Sequence, residues 1–174
     1  MDFFKKFFNL PTKEDKNIQK QEVKLALDDL FVHNFLGKGG KFLYCTNKDE
    51  VVENFKKVIF ENNWNEIYVL NTVLTSLCNK IGVHIVDHFK ENTPILTTCE
   101  HLIADNGDVL FSSNQLKSTR LKEFPNNFIV FATTSQLVND TGQGLTGIKS
   151  NSKNSLPTNI SAVRHYDVNK TDDN

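Results

Sequence analysis

From Leu25 onward, helix-like and strand-like stretches take turns along the chain, and this alternation constrains the fold more than any other feature. Leu27, Leu30, Phe31 and Phe35 recur at helical spacing, and Gly37 with Gly39-Gly40 marks the stop. Residues 41–45 (KFLYC) are a short apolar run and predict a strand. Asn47 and Glu50 have the form of an N-cap and its reciprocal acid, which predicts a helix through Val51, Phe55 and Ile59. A strand at 67–70, a short helix at 72–80 and a strand at 83–86 follow.

The second half continues with shorter pieces. Strands are predicted at 95–98 and 102–104, and Asp105-Asn106-Gly107-Asp108 is a tight-turn signal that leads into a strand at 109–111. Residues 128–132 (FIVFA) are wholly apolar and β-prone, the pattern of a central strand. Ser135 is the expected cap of a helix through Leu137, Val138 and Leu145, and the last strand is expected at 160–163. Strands joined by helices of this length imply right-handed crossovers. The expected fold is α/β and three-layer, a mainly parallel sheet with helices on both faces and one short hairpin inside it. Residues 1–22 read as a Phe-rich segment and polar linker, 23–168 as the domain, and 169–174 as a disordered tail.

Composition removes several function classes. Apolar residues are 39% of the 174 and charged residues 24%, enough for one packed core. Twenty basic side chains face twenty-one acidic ones, without the basic excess of a nucleic-acid binder. No run approaches the ~20 apolar residues of a membrane-spanning helix. Cys45, Cys78 and Cys99 are odd in number and far apart, against structural zinc, iron–sulfur ligation or a disulfide scaffold. Three unpaired thiols and no secretory-signal pattern give a cytoplasmic expectation, with no metal and no cofactor.

Ligands of open α/β sheets bind beyond the C-terminal strand ends. That rule selects several polar groups. Glu100, Asp105 and Asp108 concentrate carboxylates around the tight turn, where one serves as base or nucleophile. Ser112, Ser113, Asn114 and Gln115 close a strand with Lys117 and Arg120 nearby, a set of donors for an anionic or sugar-like ligand. Thr133, Thr134 and Ser135 close the FIVFA strand and aim hydroxyls at the same crevice. Arg120 and Arg164 are the chain's two arginines, suited to gripping carboxylate or phosphate. His101 and His165 lie near strand ends as general-base candidates, whereas His84 and His88 straddle a strand-like stretch and would not converge on a metal. No dinucleotide or phosphate-loop fingerprint is present, since Gly37-Lys38-Gly39-Gly40 precedes a strand and reads as a helix stop.

Residues 97–110 (TTCEHLIADNGDVL) resemble the "TGCDAAIAETGTLVL"-type segment of the LUD domain, the lactate-utilisation protein C family also called DUF162. Residues 128–138 (FIVFATTSQLV) are similar to that family's "HIVVVPASRIV" strand and helix start, and residues 156–167 fall where its closing strand occurs. The resemblance covers about 27–168, in the family's order. It implies a fold of the ribose-phosphate isomerase, glucosamine-phosphate deaminase and CoA-transferase type. It also implies a cytoplasmic role beside iron–sulfur proteins that oxidise lactate to pyruvate. CoA transferases of this fold carry their catalytic Glu in a Glu-Asn-Gly turn; the matching triplet here is Asp105-Asn106-Gly107, one methylene shorter. Asn106 and Gly107 become ligand-contacting candidates by that match. The family's Gly-Pro-Ser-[Lys/Arg]-Thr-Ala-Asp run corresponds to residues 161–167 (SAVRHYD), with Arg164 in the basic place, Asp167 in the acidic one, and no Gly-Pro turn.

Two functions follow as expectations. One is an accessory LUD subunit that binds a small anionic metabolite or a partner protein at the strand ends. The other is a small-molecule enzyme acting on a carboxylate, sugar phosphate or acyl-CoA, with Glu100 or Asp105 as acid–base group and Arg120 or Arg164 holding the anion.

Overall fold

The computed structural model describes residues 25–152 and 156–166. The Phe-rich segment and linker expected at 1–22, the tail at 169–174 and Asp167 lie outside the described residues.

Helix α1 (Leu27–Gly37) ends where the glycines predict, with Lys38 as C-cap and Gly40 N–H donating to Phe35 O. Helix α2 (Lys48–Glu61) is capped by Asn47, whose side chain accepts from Glu50 N. The Glu50 carboxylate reaches one residue further back than a standard box, accepting from Thr46 N and Thr46 Oγ1. Strand β1 (Glu66–Val69), a 3₁₀ turn over Thr72–Leu74, helix α3 (Thr75–Ile81) and strand β2 (His84–Val86) follow. Next come β3 (Ile95–Thr98), β4 (His101–Ile103), β5 (Asp108–Ser112), the single-turn α4 (Ser113–Leu116) and β6 (Phe128–Phe131). The chain then runs through β7 (Leu137–Val138), α5 (Thr141–Asn151) and β8 (Ile160–Val163).

The fold is α/β, as expected, and its strands divide between two sheets. The first has order β2-β1-β3-β6 and is parallel throughout. The second has order β7-β4-β5-β8 and grows from the β4–β5 hairpin, with β8 antiparallel to β5 and β7 parallel to β4. Alternation along each strand sorts the side chains between layers. Ile67 and Leu96 face α2 and α3, packing with Phe55, Ile59, Leu74 and Cys78. Ile95, on the opposite face, joins Phe31 of α1 and Leu102, Val109 and Phe111 of the second sheet. Helices thus flank the parallel sheet on both faces, and one of those faces also receives the second sheet. The outer face of that second sheet buries Ile103 and Leu110 beneath Ile148 of α5.

Three local expectations are corrected. Residues 41–45 form no strand: Phe42 is held in a ring cluster with Phe31 and Phe35 beside α1, which leaves Leu43 and Tyr44 exposed. The FIVFA run is an edge strand of the parallel sheet rather than a central one. Its two faces are each half-covered, Phe128 and Val130 on one side and Ile129 and Phe131 on the other, so its apolarity reports covered faces and not two neighbouring strands. Ser135 does not open a long helix. Thr133 caps a 3₁₀ turn (Thr134–Gln136), β7 intervenes, and α5 starts at Asp140, whose Oδ1 accepts from Gln143 N.

Candidate functional site

In a parallel sheet the strands all point one way, so β1, β3 and β6 deliver their following residues to a common rim. Asn71 follows β1, Cys99 and Glu100 follow β3, and the 133–136 turn follows β6. Hydrogen bonds tie these segments together. Asn71 Oδ1 accepts from Thr97 Oγ1 at 2.8 Å and from Thr98 N at 2.9 Å. Gln136 Nε2 donates to Cys99 O, and its Oε1 accepts from Thr133 N at 2.8 Å. The fourth segment, α4, enters from the second sheet, and Asn71 Nδ2 approaches Gln115 O at 3.4 Å.

Glu100 is the carboxylate of this rim. It is half-buried, and its Oε1 accepts from Ser112 Oγ at 2.5 Å and from Asn114 Nδ2 at 3.1 Å. Ser112 is fully buried and caps α4: Asn114 N donates to its Oγ, and Gln115 Oε1 accepts from Ser112 N. The serine–glutamine spacing is a capping box, so the local rule that starts α4 also fixes the hydroxyl that holds Glu100. Ser113 Oγ accepts from Thr158 N and links the rim to the approach of β8. Thr133, Thr134 and Ser135 are exposed, with Thr133 Oγ1 and Ser135 Oγ 2.8 Å apart. Cys99, beside Glu100, is buried, and burial pushes its thiol up to about 12, with the Glu100 charge adding to the effect. It is a poor nucleophile there.

The remaining expected residues lie elsewhere. Glu100 and Asp105 stand at opposite ends of β4, whose three strand residues alone span about 10 Å. Asp105 is exposed at the hairpin turn, and Asn106 Oδ1 accepts from Asp108 N within it. Gly107 has φ +72°, and a Cβ there would come within 2.5 Å of Phe35 N. Arg164 Nε lies 3.8 Å from Asp108 Oδ2, so it joins this turn, and His165 follows it in sequence. Arg120 is exposed at the start of a 3₁₀ turn, its N–H donating to Glu123 Oε2. The expected site residues therefore fall into a rim group (Glu100, Ser112–Gln115, Thr133–Ser135) and a turn group (Asp105–Gly107, Arg164, His165), with Arg120 in neither.

Two further residues hold the rim together: Asn71, which lies at a strand end of the kind the ligand rule selects, and Gln136, which was not singled out from sequence. The Thr133-to-Gln136 interval is a legible capping-box spacing; nothing local to Asn71 foretells its three donors. A cavity of about 390 Å³ lies away from the rim, among Phe89, Lys90, Glu91, Glu123, Phe124, Pro125 and Asn126. Those residues precede β3 and β6, at the N-terminal end of the parallel sheet. Among the described residues, no group of three His, Cys, Asp or Glu is arranged to hold a metal, and no helix is long and apolar enough to cross a membrane.

The chain is similar to a DUF162 family protein. That protein, from Deinococcus radiodurans, has a crystal structure of which this chain covers 89%, while 68% of this chain is matched. The identity is 13% and the TM-score 0.38. No protein-family model and no curated protein matches this chain.

Proposed function

We propose that this chain is a LUD-type domain of lactate or organic-acid utilisation, serving as a small-anion-binding or accessory subunit. Its ligand site is the rim around Glu100, with Ser112, Ser113, Asn114 and Gln115 on one side and Thr133, Thr134 and Ser135 on the other. Arg120, exposed four residues beyond α4 and outside the rim itself, is the cation proposed to reach the ligand's charge. Asn106, Gly107, Arg164 and His165 form a second contact group at the hairpin turn. The protein partners are iron–sulfur subunits that oxidise the organic acid, in the cytoplasm.

One observation carries this reading: three parallel strands and α4 bring a held carboxylate and exposed hydroxyls to the same rim. The ends of parallel strands are where α/β sheets take up small molecules. The resemblance of residues 97–110 and 128–138 to the LUD pattern supplies the metabolic context.

A second reading, an enzyme acting on a carboxylate, sugar phosphate or acyl-CoA, is favoured by the half-buried Glu100 at an open strand end, where a carboxyl can act as acid or base. In that reading Asp105, at the hairpin turn, is the alternative acid–base carboxyl to Glu100.

Thermal unfolding against lactate, pyruvate, sugar phosphates, nucleotides and acyl-CoA esters separates the two. A ligand at a hundred times its Kd stabilises by roughly 2.7 kcal/mol. That corresponds to a midpoint rise of about 5–10 °C for a domain of this size. A rise confined to small organic acids and lost in Arg120→Ala supports the accessory reading. Turnover of any compound, abolished by Glu100→Gln, favours the enzyme. A flat panel overturns both.

A further inference from the structure

The cavity at the N-terminal end of the parallel sheet has no part in the rim. At about 390 Å³ it lies near the lower end of the roughly 300–1,000 Å³ that ligand sites occupy, room for one small molecule. Its apolar walls are Phe89 and Phe124, both half-buried. Each ring is anchored by other rings. Phe89 lies 5.2 Å from Tyr68, and Phe124 lies 5.6 Å from Phe128 and 6.3 Å from the fully buried Phe111. The walls are therefore extensions of the core and stand in place before any ligand enters.

The polar lining carries both signs of charge. Lys90, Glu91, Glu123 and Asn126 are exposed around the two rings. The backbone of Lys90 is pinned: its N–H donates to Thr93 Oγ1, which in turn donates to Glu66 Oε1. Glu123 is tethered through Oε2, which accepts from Arg120 N at 2.9 Å. Among the described residues, the side chains of Lys90, Glu91 and Asn126 have neither a hydrogen-bond nor an ion-pair partner. Lys90 thus pairs with neither glutamate, and the lining's charges do not satisfy one another.

A ligand with one charge leaves part of this lining unmatched. A simple carboxylic acid meets two carboxylates of its own sign, and a simple amine meets Lys90. A zwitterion answers both: its carboxylate is met by Lys90 and its ammonium by Glu91 and Glu123. Phenyl faces favour a neighbouring ammonium and pack well against an apolar or aromatic body. We propose that this cavity binds a free α-amino acid with an apolar or aromatic side chain, which rests on Phe89 and Phe124. The cavity and the rim lie at opposite ends of the parallel sheet, so this site stands or falls independently of the small-anion reading.

Calorimetric titration of the full chain with L-phenylalanine is the test, beside phenethylamine, which lacks the carboxylate, and 3-phenylpropionate, which lacks the ammonium. L-Phenylalanine is expected to bind at least about fivefold more tightly than either, the scale of one exposed ion pair. Lys90→Met should erase the preference over phenethylamine. Glu91→Gln combined with Glu123→Gln should erase the preference over 3-phenylpropionate. All three positions are exposed, and circular dichroism checks that each variant folds. Glu100→Gln, in the rim, should leave the affinity for L-phenylalanine unchanged. Equal or tighter binding of either analogue by the unaltered protein overturns the assignment. So does a preference that persists undiminished in folded Lys90→Met protein, or the absence of saturable L-phenylalanine binding at millimolar concentration. Loss of binding in Glu100→Gln would move the site to the rim and overturn the cavity as its location.

Discussion

Lys38 Nζ lies 2.6 Å from Asp108 Oδ1, joining the end of α1 to the start of β5 across seventy residues of chain. The Asp108 side chain is 6% exposed, and its other oxygen lies 3.8 Å from Nε of Arg164, whose side chain is 73% exposed. Removing one partner of a buried pair leaves the other charge uncompensated, which costs about 3 kcal/mol. Lys38→Met is therefore expected to lower stability by about 2–4 kcal/mol. Arg164→Ala should cost under about 1 kcal/mol, since exposed pairs contribute little. Urea unfolding of both variants checks this; equal losses would mean that Arg164, not Lys38, compensates the carboxylate.

The same corner constrains Gly107. Its φ of +72° and the approach of a Cβ to Phe35 N at 2.5 Å and Asn34 C at 2.6 Å both oppose a side chain. The obstacle is backbone, which cannot rotate away. Gly107→Ala should cost at least about 2 kcal/mol, combining the left-handed penalty with displacement of α1. Gly37→Ala, where a Cβ meets nothing within 4 Å, is the control and should be neutral or slightly stabilising. Thermal unfolding that ranks the two in the opposite order would disprove the close packing of α1 on the turn.

Ser112→Ala removes a fully buried hydroxyl that serves both Glu100 Oε1 and Asn114 N. The expected loss is about 1–3 kcal/mol, the cost of leaving hydrogen-bonding partners unmet. Ser113→Ala removes one bond to Thr158 N at a half-exposed position and should cost less than about 1 kcal/mol. Denaturant midpoints of the two variants give the comparison. Similar small losses would show that the α4 cap does not organise the rim.

Burial raises Cys78 to about 11 and Cys99 to about 12, and raises Tyr166 as well, with Asp108 adding to the Tyr166 effect. Each folded-state group holds its proton more tightly than the unfolded chain does. The unfolded state therefore loses protons first above about pH 8.5, and stability falls as pH rises from there through the folded values. The urea midpoint should decline steadily between pH 8.5 and 10.5, with a shallower decline in Cys99→Ala. In thiol labelling at pH 8, Cys45, the least buried of the three, should react first, and Cys78 and Cys99 only on unfolding. Rapid labelling of Cys99 in the folded protein would contradict its burial.

Much of the architecture was legible because it depends on short-range rules. The α1 stop at Gly39-Gly40, the Asn47 cap of α2, the Asp105–Asp108 turn and the strands at β1, β3 and β5 each follow from a few neighbouring residues. The errors share a cause. The KFLYC and FIVFA runs are both apolar, yet Phe42 is claimed by the rings of α1, and among the described residues β6 has a strand on one side only. Which strand becomes an edge depends on the order of assembly, and apolar composition carries no record of it.

The candidate site divides along the same line. Sequence by itself determined the polar groups that end each strand, because Ser112 with Gln115 and Thr133 with Gln136 are capping spacings fixed within four residues. Only the tertiary structure decided which of those groups meet. It set Asn71 against Thr97 and Thr98, brought Gln136 to Cys99, and separated Glu100 from Asp105 by the length of β4. The reason is that parallel pairing aligns strand ends distant in sequence, whereas a hairpin sends the two ends of one strand to opposite rims.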